Sequence, residues 1–135
     1  MVSPVEYGVL DTSVVIARES GRPLNHEAIP RNVTITVITE AELRAGVLAA
    51  PDSSTRARRL DTLQRLSRID ALPADSRAAA EWARLRAHLV EKGRRLNVND
   101  LWIAAIATAN DLPIVTQDAV FEALEDAPGV TVIRV

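Results

Sequence analysis

The chain has 135 residues, 47% of them hydrophobic but only 3% aromatic, and a formal net charge of −2. That size fits one domain with an aliphatic core, and the absence of cysteine excludes disulfides, thiolate zinc sites and cysteine nucleophiles. With His26 and His88 the only histidines, a histidine-rich metal site is not expected either.

Taken in order, YGVL (7–10) is a short apolar run read as a strand that ends at Asp11, and TSVVIAR opens a helix. ESGRPLNHEAIPRN is rich in turn residues, with His26 at its surface. VTITV (33–37) is β-branched and reads as a strand leading into the helix TEAELRAGVLAA. PDSS (51–54) breaks that helix and caps the next, TRARRLDTLQRLSR. RIDAL (68–72) is a candidate short strand. ADSRAAAEWARLRAHLVEKG is amphipathic, with Ala78, Ala79, Trp82, Leu85 and Leu89 on one face and Gly93 as its stop. An apolar helix over 99–109 follows, then Asp111 as a turn residue, the strand PIVT (113–116), a short helix AVFEALED and a last strand VTVIRV. Trp82 and Trp102 fall at core spacing, and His88 falls on a polar face. The start MVSPVEYGVLDTS lacks a basic n-region, and the longest apolar run, 101–107, is too short to span a bilayer. A soluble cytoplasmic protein without a membrane partner is expected.

Strands alternating with helices predict an α/β fold with a mostly parallel central sheet of about five strands. Such sheets bind ligands outside the carboxyl ends of their strands, where strand order reverses. Asp11 and Asp118 both sit just past the carboxyl end of a strand. Each acid has an ordinary reading: Asp11 and Asp118 as helix N-caps, Asp100 as a first-turn acid favoured by the helix dipole. On the helix after Thr39, Glu40 has Arg44 at i+4 for an exposed ion pair. Glu42, beside Ala45, Gly46 and Ala49, is the better candidate for chemistry. If Asp11, Glu42, Asp100 and Asp118 meet, their repulsion raises pKa values unless a hard cation such as Mg2+ or Mn2+ relieves it. Such an ion polarises a phosphoryl oxygen and activates water, so a phosphodiester could be cut without histidine or cysteine.

Charge is unevenly distributed. Residues 44–95 hold 12 basic and 6 acidic residues, whereas residues 96–135 hold 1 and 6. A solvated face explains this, and so does a nucleic-acid partner.

VLDTSVVIA, ITEAELRAGV, NVNDLWIAAIA and LPIVTQDAVFEAL, in this order and spacing, resemble the PIN-domain family, and within it the VapC toxins of VapBC toxin–antitoxin pairs. The resemblance spans nearly the whole chain, so residues 1–135 read as a single PIN domain with a three-layer fold. It implies a Mg2+- or Mn2+-dependent ribonuclease that leaves a 3′-hydroxyl and a 5′-phosphate. Its metal-binding acids map onto Asp11, Glu42, Asp100 and Asp118, with Thr116, Asn99 and Ser13 in support. It also implies a VapB-like antitoxin, a homodimer, and an RNA substrate of the family's kind, which includes transfer and ribosomal RNAs. Under it, Arg56, Arg58, Arg59, Arg65 and Arg68 would steer RNA phosphates. One departure is local: family members often place an acid and Phe just after the last motif, where this chain has Ala119, Val120 and Phe121.

Rival readings fit less well. A haloacid dehalogenase-like phosphatase wants a second Asp where Ser13 stands. A receiver domain wants paired acids before the first strand and a late lysine, whereas Lys92 is the only lysine. A histidine-based ribonuclease would ignore chelators and fail on 2′-deoxy cleavage sites. The remaining alternative is a non-catalytic PIN-like module that binds RNA or protein.

Overall fold

The computed structural model describes residues 6–135; the first five, part of the start read above as carrying no targeting signal, lie outside the described residues. Four short strands form one parallel sheet: β1 (Tyr7–Leu10), β2 (Asn32–Thr34), β3 (Ile114–Thr116) and β4 (Val132–Arg134), in the order β2-β1-β3-β4. Five helices flank it: α1 (Thr12–Ser20), α2 (Val37–Leu48), α3 (Ser53–Leu66), α4 (Ser76–Lys92) and α5 (Val98–Ala109).

The two-residue alternation of a strand sends neighbouring side chains to opposite faces, and the core divides accordingly. Val9 and Ile114, which are register partners, join Leu85 and Leu89 of α4 and Leu101, Ile103 and Ala104 of α5. Leu10 and Val115, the next register pair, join Val14 and Val15 of α1, with Leu43 of α2 and Leu66 of α3 against them. The result is the expected three layers.

The central element is α5. Every residue from Ile103 to Ala107 is fully buried, with Leu101 nearly so. Burying each large aliphatic side chain here contributes about 1.5–3 kcal/mol. This makes α5 a rigid mount for whatever its first turn carries. Trp82 and Trp102 are half-buried and stack between α4 and α5, ring centroids 5.6 Å apart. This is the packing role read from their spacing.

Termini follow local chemistry. Asp11, Thr36, Asp52, Asp75 and Asn97 cap the five helices through side-chain oxygens. Gly93 ends α4 in the left-handed conformation at φ 65°, where a Cβ would be strained. Asp111 takes the same region at φ 54°, consistent with its reading as a turn residue.

Three expectations need correction. The sheet has four strands, not about five, because 68–72 contributes only one bridge, Leu72 to Thr36. The second strand stops at Thr34: the Thr36 hydroxyl accepts the Thr39 N–H and starts α2 at Val37, overriding the β-branched run. Ala79 is exposed, off the buried face of α4. The short helix expected at AVFEALED is present as a 3₁₀ helix over 119–124. Among the described residues, no helix is long and apolar enough to cross a membrane.

Candidate active site

Strand order reverses between β1 and β3, which are neighbours in the sheet but far apart in sequence. Both strands end in a residue that turns into the crevice expected at such a point. Asp11 follows β1, and Thr116 closes β3 with Asp118 two residues on.

Asp11 is almost fully buried, and one of its oxygens is closely held. Oδ2 accepts from the Ser13 hydroxyl at 2.7 Å, from the Thr116 hydroxyl at 3.0 Å and, more loosely, from the Ser13 N–H at 3.4 Å. The hydroxyl oxygens are themselves oriented by backbone donors: Gln117 N–H on Ser13 Oγ and Asp118 N–H on Thr116 Oγ1. With both hydroxyl protons pointed at Asp11, the 3.3 Å approach of Ser13 to Thr116 is a contact and not a hydrogen bond. Every donor found goes to Oδ2. Oδ1 receives none among the described residues and is not sealed from solvent, so it is the oxygen free to take a cation.

Glu42, on the second turn of α2, is half-buried and accepts from the Thr12 hydroxyl at 2.8 Å. Thr12 lies 2.9 Å from the buried Thr39 hydroxyl. Since the single Thr12 proton goes to the carboxylate, Thr39 is the donor in that second bond. Glu40 pairs with Arg44 at 3.2 Å on the exposed face, as its spacing suggested.

Asp100 sits in the first turn of α5, half-buried. Burial, and then the charges of Asp11, Glu42 and Asp118, push its carboxyl up to about 6. Four chain segments thus place their acids within electrostatic range of one another. Asp118 stands at the cap position of 119–124, yet its side chain caps nothing and is exposed. None of the four pairs with Lys, Arg or His among the described residues.

The supporting residues divide. Ser13 and Thr116 are joined to Asp11, whereas Asn99 is exposed, and its N–H donates to Asn97 Oδ1 at 2.8 Å as part of the α5 cap, with no bond to the four acids. Thr12 and Thr39 were missed in the sequence. The available signals were a hydroxyl next to Asp11 and Thr39 one helical turn before Glu42.

The chemistry of the donor set fits a hard divalent cation: all oxygen, excess negative charge and one carboxylate carrying a raised pKa. Among the described residues no three acids or histidines converge into a closed ligand set. A cation held here would need water or phosphate oxygens to complete its coordination.

The five arginines differ in their surroundings. Arg59 donates to the Gly46 carbonyl at 2.7 Å and ties α3 to α2. Arg58 reaches Glu19 at 4.0 Å, and Arg65 pairs with Asp61 at 3.1 Å. Arg56 and Arg68 are exposed and have no carboxylate partner among the described residues. A groove of about 650 Å³ between α1 and α3 includes none of the four acids. The chemistry is therefore assigned by the carboxylates and not by cavity size.

A parallel three-layer fold with carboxylates gathered at its switch point defines a class, and residues 8–127 match the PIN domain: the chain belongs to the PIN-domain family. Within that family it is 56% identical over 128 residues to Ribonuclease VapC5 of Mycobacterium tuberculosis, covering 95% of each chain. It is 36% identical to Ribonuclease VapC4 of the same organism, covering 95% of this chain and 98% of that one. A chain in the crystal structure of VapBC-5, a VapBC toxin–antitoxin system from M. tuberculosis, matches with a TM-score of 0.89 at 53% identity. That match covers 96% of this chain and 98% of the other.

Proposed function

We propose that this protein is the ribonuclease toxin of a VapBC-type pair, hydrolysing RNA phosphodiesters at Asp11, Glu42, Asp100 and Asp118. The observation that carries the reading is the collection of four acids without basic partners around the ends of β1 and β3, with Asp100 driven up to about 6. The kinship with chains named Ribonuclease VapC supports RNA as the substrate. The match to a VapBC complex supports a VapB-like antitoxin as partner.

The four carboxylates would hold Mg2+ or Mn2+. When bound, such an ion lowers the pKa of water and offsets charge on the phosphate. Asp11 presents Oδ1 because its other oxygen is already held by Ser13 and Thr116. Asp100, on the buried α5, fixes a second donor with little freedom to move. Glu42 and Asp118 complete the negative wall. Self-association into a homodimer belongs to the same reading and is measurable by equilibrium sedimentation.

The direct test is cleavage of RNA by purified protein, with and without Mg2+ or Mn2+. Loss of cleavage in EDTA, restored by either ion, with 5′-phosphate products is expected. Cleavage that persists in chelator, or that fails at 2′-deoxy sites, would overturn the acidic-site reading. Binding without cleavage in any metal would leave the non-catalytic module. As a toxin, the protein should arrest growth when expressed and be relieved by a short reading frame encoded beside it.

A narrower expectation concerns RNA steering. Because Arg59 donates to the Gly46 carbonyl and Arg58 and Arg65 each have a carboxylate neighbour, Arg56 and Arg68 are the members of the set without a partner among the described residues and the simplest to test. Replacing both by Ala should weaken RNA binding and reduce the slope of log affinity against log salt by about 1–2. An unchanged slope in a filter-binding titration would remove α3 from the RNA path.

A further inference from the structure

Thr12 is the residue through which α1 reaches the acid on α2. Glu42 is a long, half-buried side chain on a helix surface, so its carboxylate has several staggered positions open to it. Only one hydrogen bond reaches it among the described residues: the Thr12 hydroxyl at 2.8 Å to Oε1. The Thr12 hydroxyl is itself set by the Thr39 hydroxyl, 2.9 Å away, whose residue is fully buried. Thr39 precedes Glu42 by three positions, so both face Thr12 from one side of α2. The proton order is forced: an ionised carboxylate only accepts, Thr12 has one proton to give it, and Thr39 supplies the other bond.

We infer that Thr12, held by Thr39, is a positioning residue that fixes the Glu42 carboxylate for the divalent cation of the active site. This rests on the metal-site reading above. Asp11 and Thr12 are consecutive, so a single step of chain supplies one acid and orients another. Asp11 takes its own support from Ser13 and Thr116, so the two acids are held by separate hydroxyl pairs. Hydroxyl groups that orient a ligand change metal affinity more than they change the fold, and removing such a partner costs roughly 10–100-fold in affinity.

The test is Mn2+ binding by titration calorimetry, paired with the Mn2+ concentration for half-maximal RNA cleavage. Thr12→Val keeps the shape of the side chain and removes the hydroxyl. It should weaken Mn2+ binding and raise the half-maximal concentration about tenfold. Thr12→Ser keeps the hydroxyl and should restore most of both. In a Glu42→Gln background the Thr12→Val change should have little further effect, because the bond it removes no longer serves a ligand. Thr39→Val leaves the Glu42 contact in place and removes its anchor, so it should shift binding in the same direction by less. It also decides the matter if Thr12→Val does not fold. Wild-type protein that binds no Mn2+ overturns the metal site itself, and this role with it. Wild-type binding that Thr12→Val and Thr39→Val leave unchanged overturns the positioning role alone. So does a loss that persists in full in the Glu42→Gln background.

Discussion

Replacing Asp11 with Asn should lower RNA cleavage by about three orders of magnitude while leaving the fold intact. The size follows from the several kcal/mol that Lewis-acid stabilisation supplies, about 4 kcal/mol corresponding to a thousandfold. The fold should survive because Asn caps a helix about as well as Asp, so α1 keeps its start. The amide fails for a geometric reason. Oδ2 of Asp11 faces two hydroxyl donors, Ser13 at 2.7 Å and Thr116 at 3.0 Å, and Oδ1 faces the cleft. If the amide oxygen stays toward the hydroxyls, its NH2 group stands where the proposed cation would bind. If it flips, a donor meets two donors, and both hydroxyls must turn away from the backbone-fixed positions set by Gln117 and Asp118. Single-turnover cleavage, with thermal unfolding by circular dichroism as control, checks this. An Asp11→Asn protein that keeps more than about a tenth of the activity would remove Asp11 from the reaction.

Three of the candidate acids drew attention in the sequence because each stands beside the end of an element whose apolar pattern is unmistakable, whereas Glu42, within α2, was singled out by its small neighbours Ala45, Gly46 and Ala49. Asp11 follows GVL, Asp100 opens an almost wholly apolar helix, and Asp118 follows PIVT. Their charge coupling was not legible, since it depends on β3 returning beside β1. The start of α2 was misread because ITV has strand chemistry by composition. What prevailed was one hydroxyl, Thr36, capping Thr39 from a fully buried position. The strand expected at 68–72 reduced to a bridge at Leu72. The arginines illustrate the opposite limit: Arg59 is spent on a carbonyl 13 residues back, Arg58 on an acid at the end of α1. No spacing rule within α3 predicts either partner. Thr12 escaped notice for the same reason, its partners lying 27 and 30 residues away.

Asp100→Asn should act in opposite directions with and without metal. In EDTA above pH 6, folding requires an ionised carboxylate that is half-buried among three others, and that requirement works against the native state. The sign follows from linkage. Asp100 binds its proton more tightly folded, at about 6, than at its ordinary value of 3.8, so its contribution favours the fold most below about pH 4. That contribution is lost as pH rises from about 4 through 6, and above 6 the full penalty remains and no longer changes. A shift of this size corresponds to roughly 3 kcal/mol if taken at face value, and solvent screening at a half-exposed site reduces it to about 1–2 kcal/mol. Asn carries no charge to desolvate, so the metal-free variant should unfold several degrees above wild type at pH 7.5 and lose that advantage near pH 4. With Mg2+ present the order should narrow or reverse. Wild type gains stability by binding the ion to its folded form alone, whereas the variant, missing one donor, gains little. Thermal scans of both proteins at pH 4 and 7.5, in EDTA and in Mg2+, contain the whole test. If the variant is no more stable than wild type in EDTA at pH 7.5, the four acids do not repel as described. If instead Mg2+ raises both melting temperatures equally, Asp100 lies outside the cation's reach.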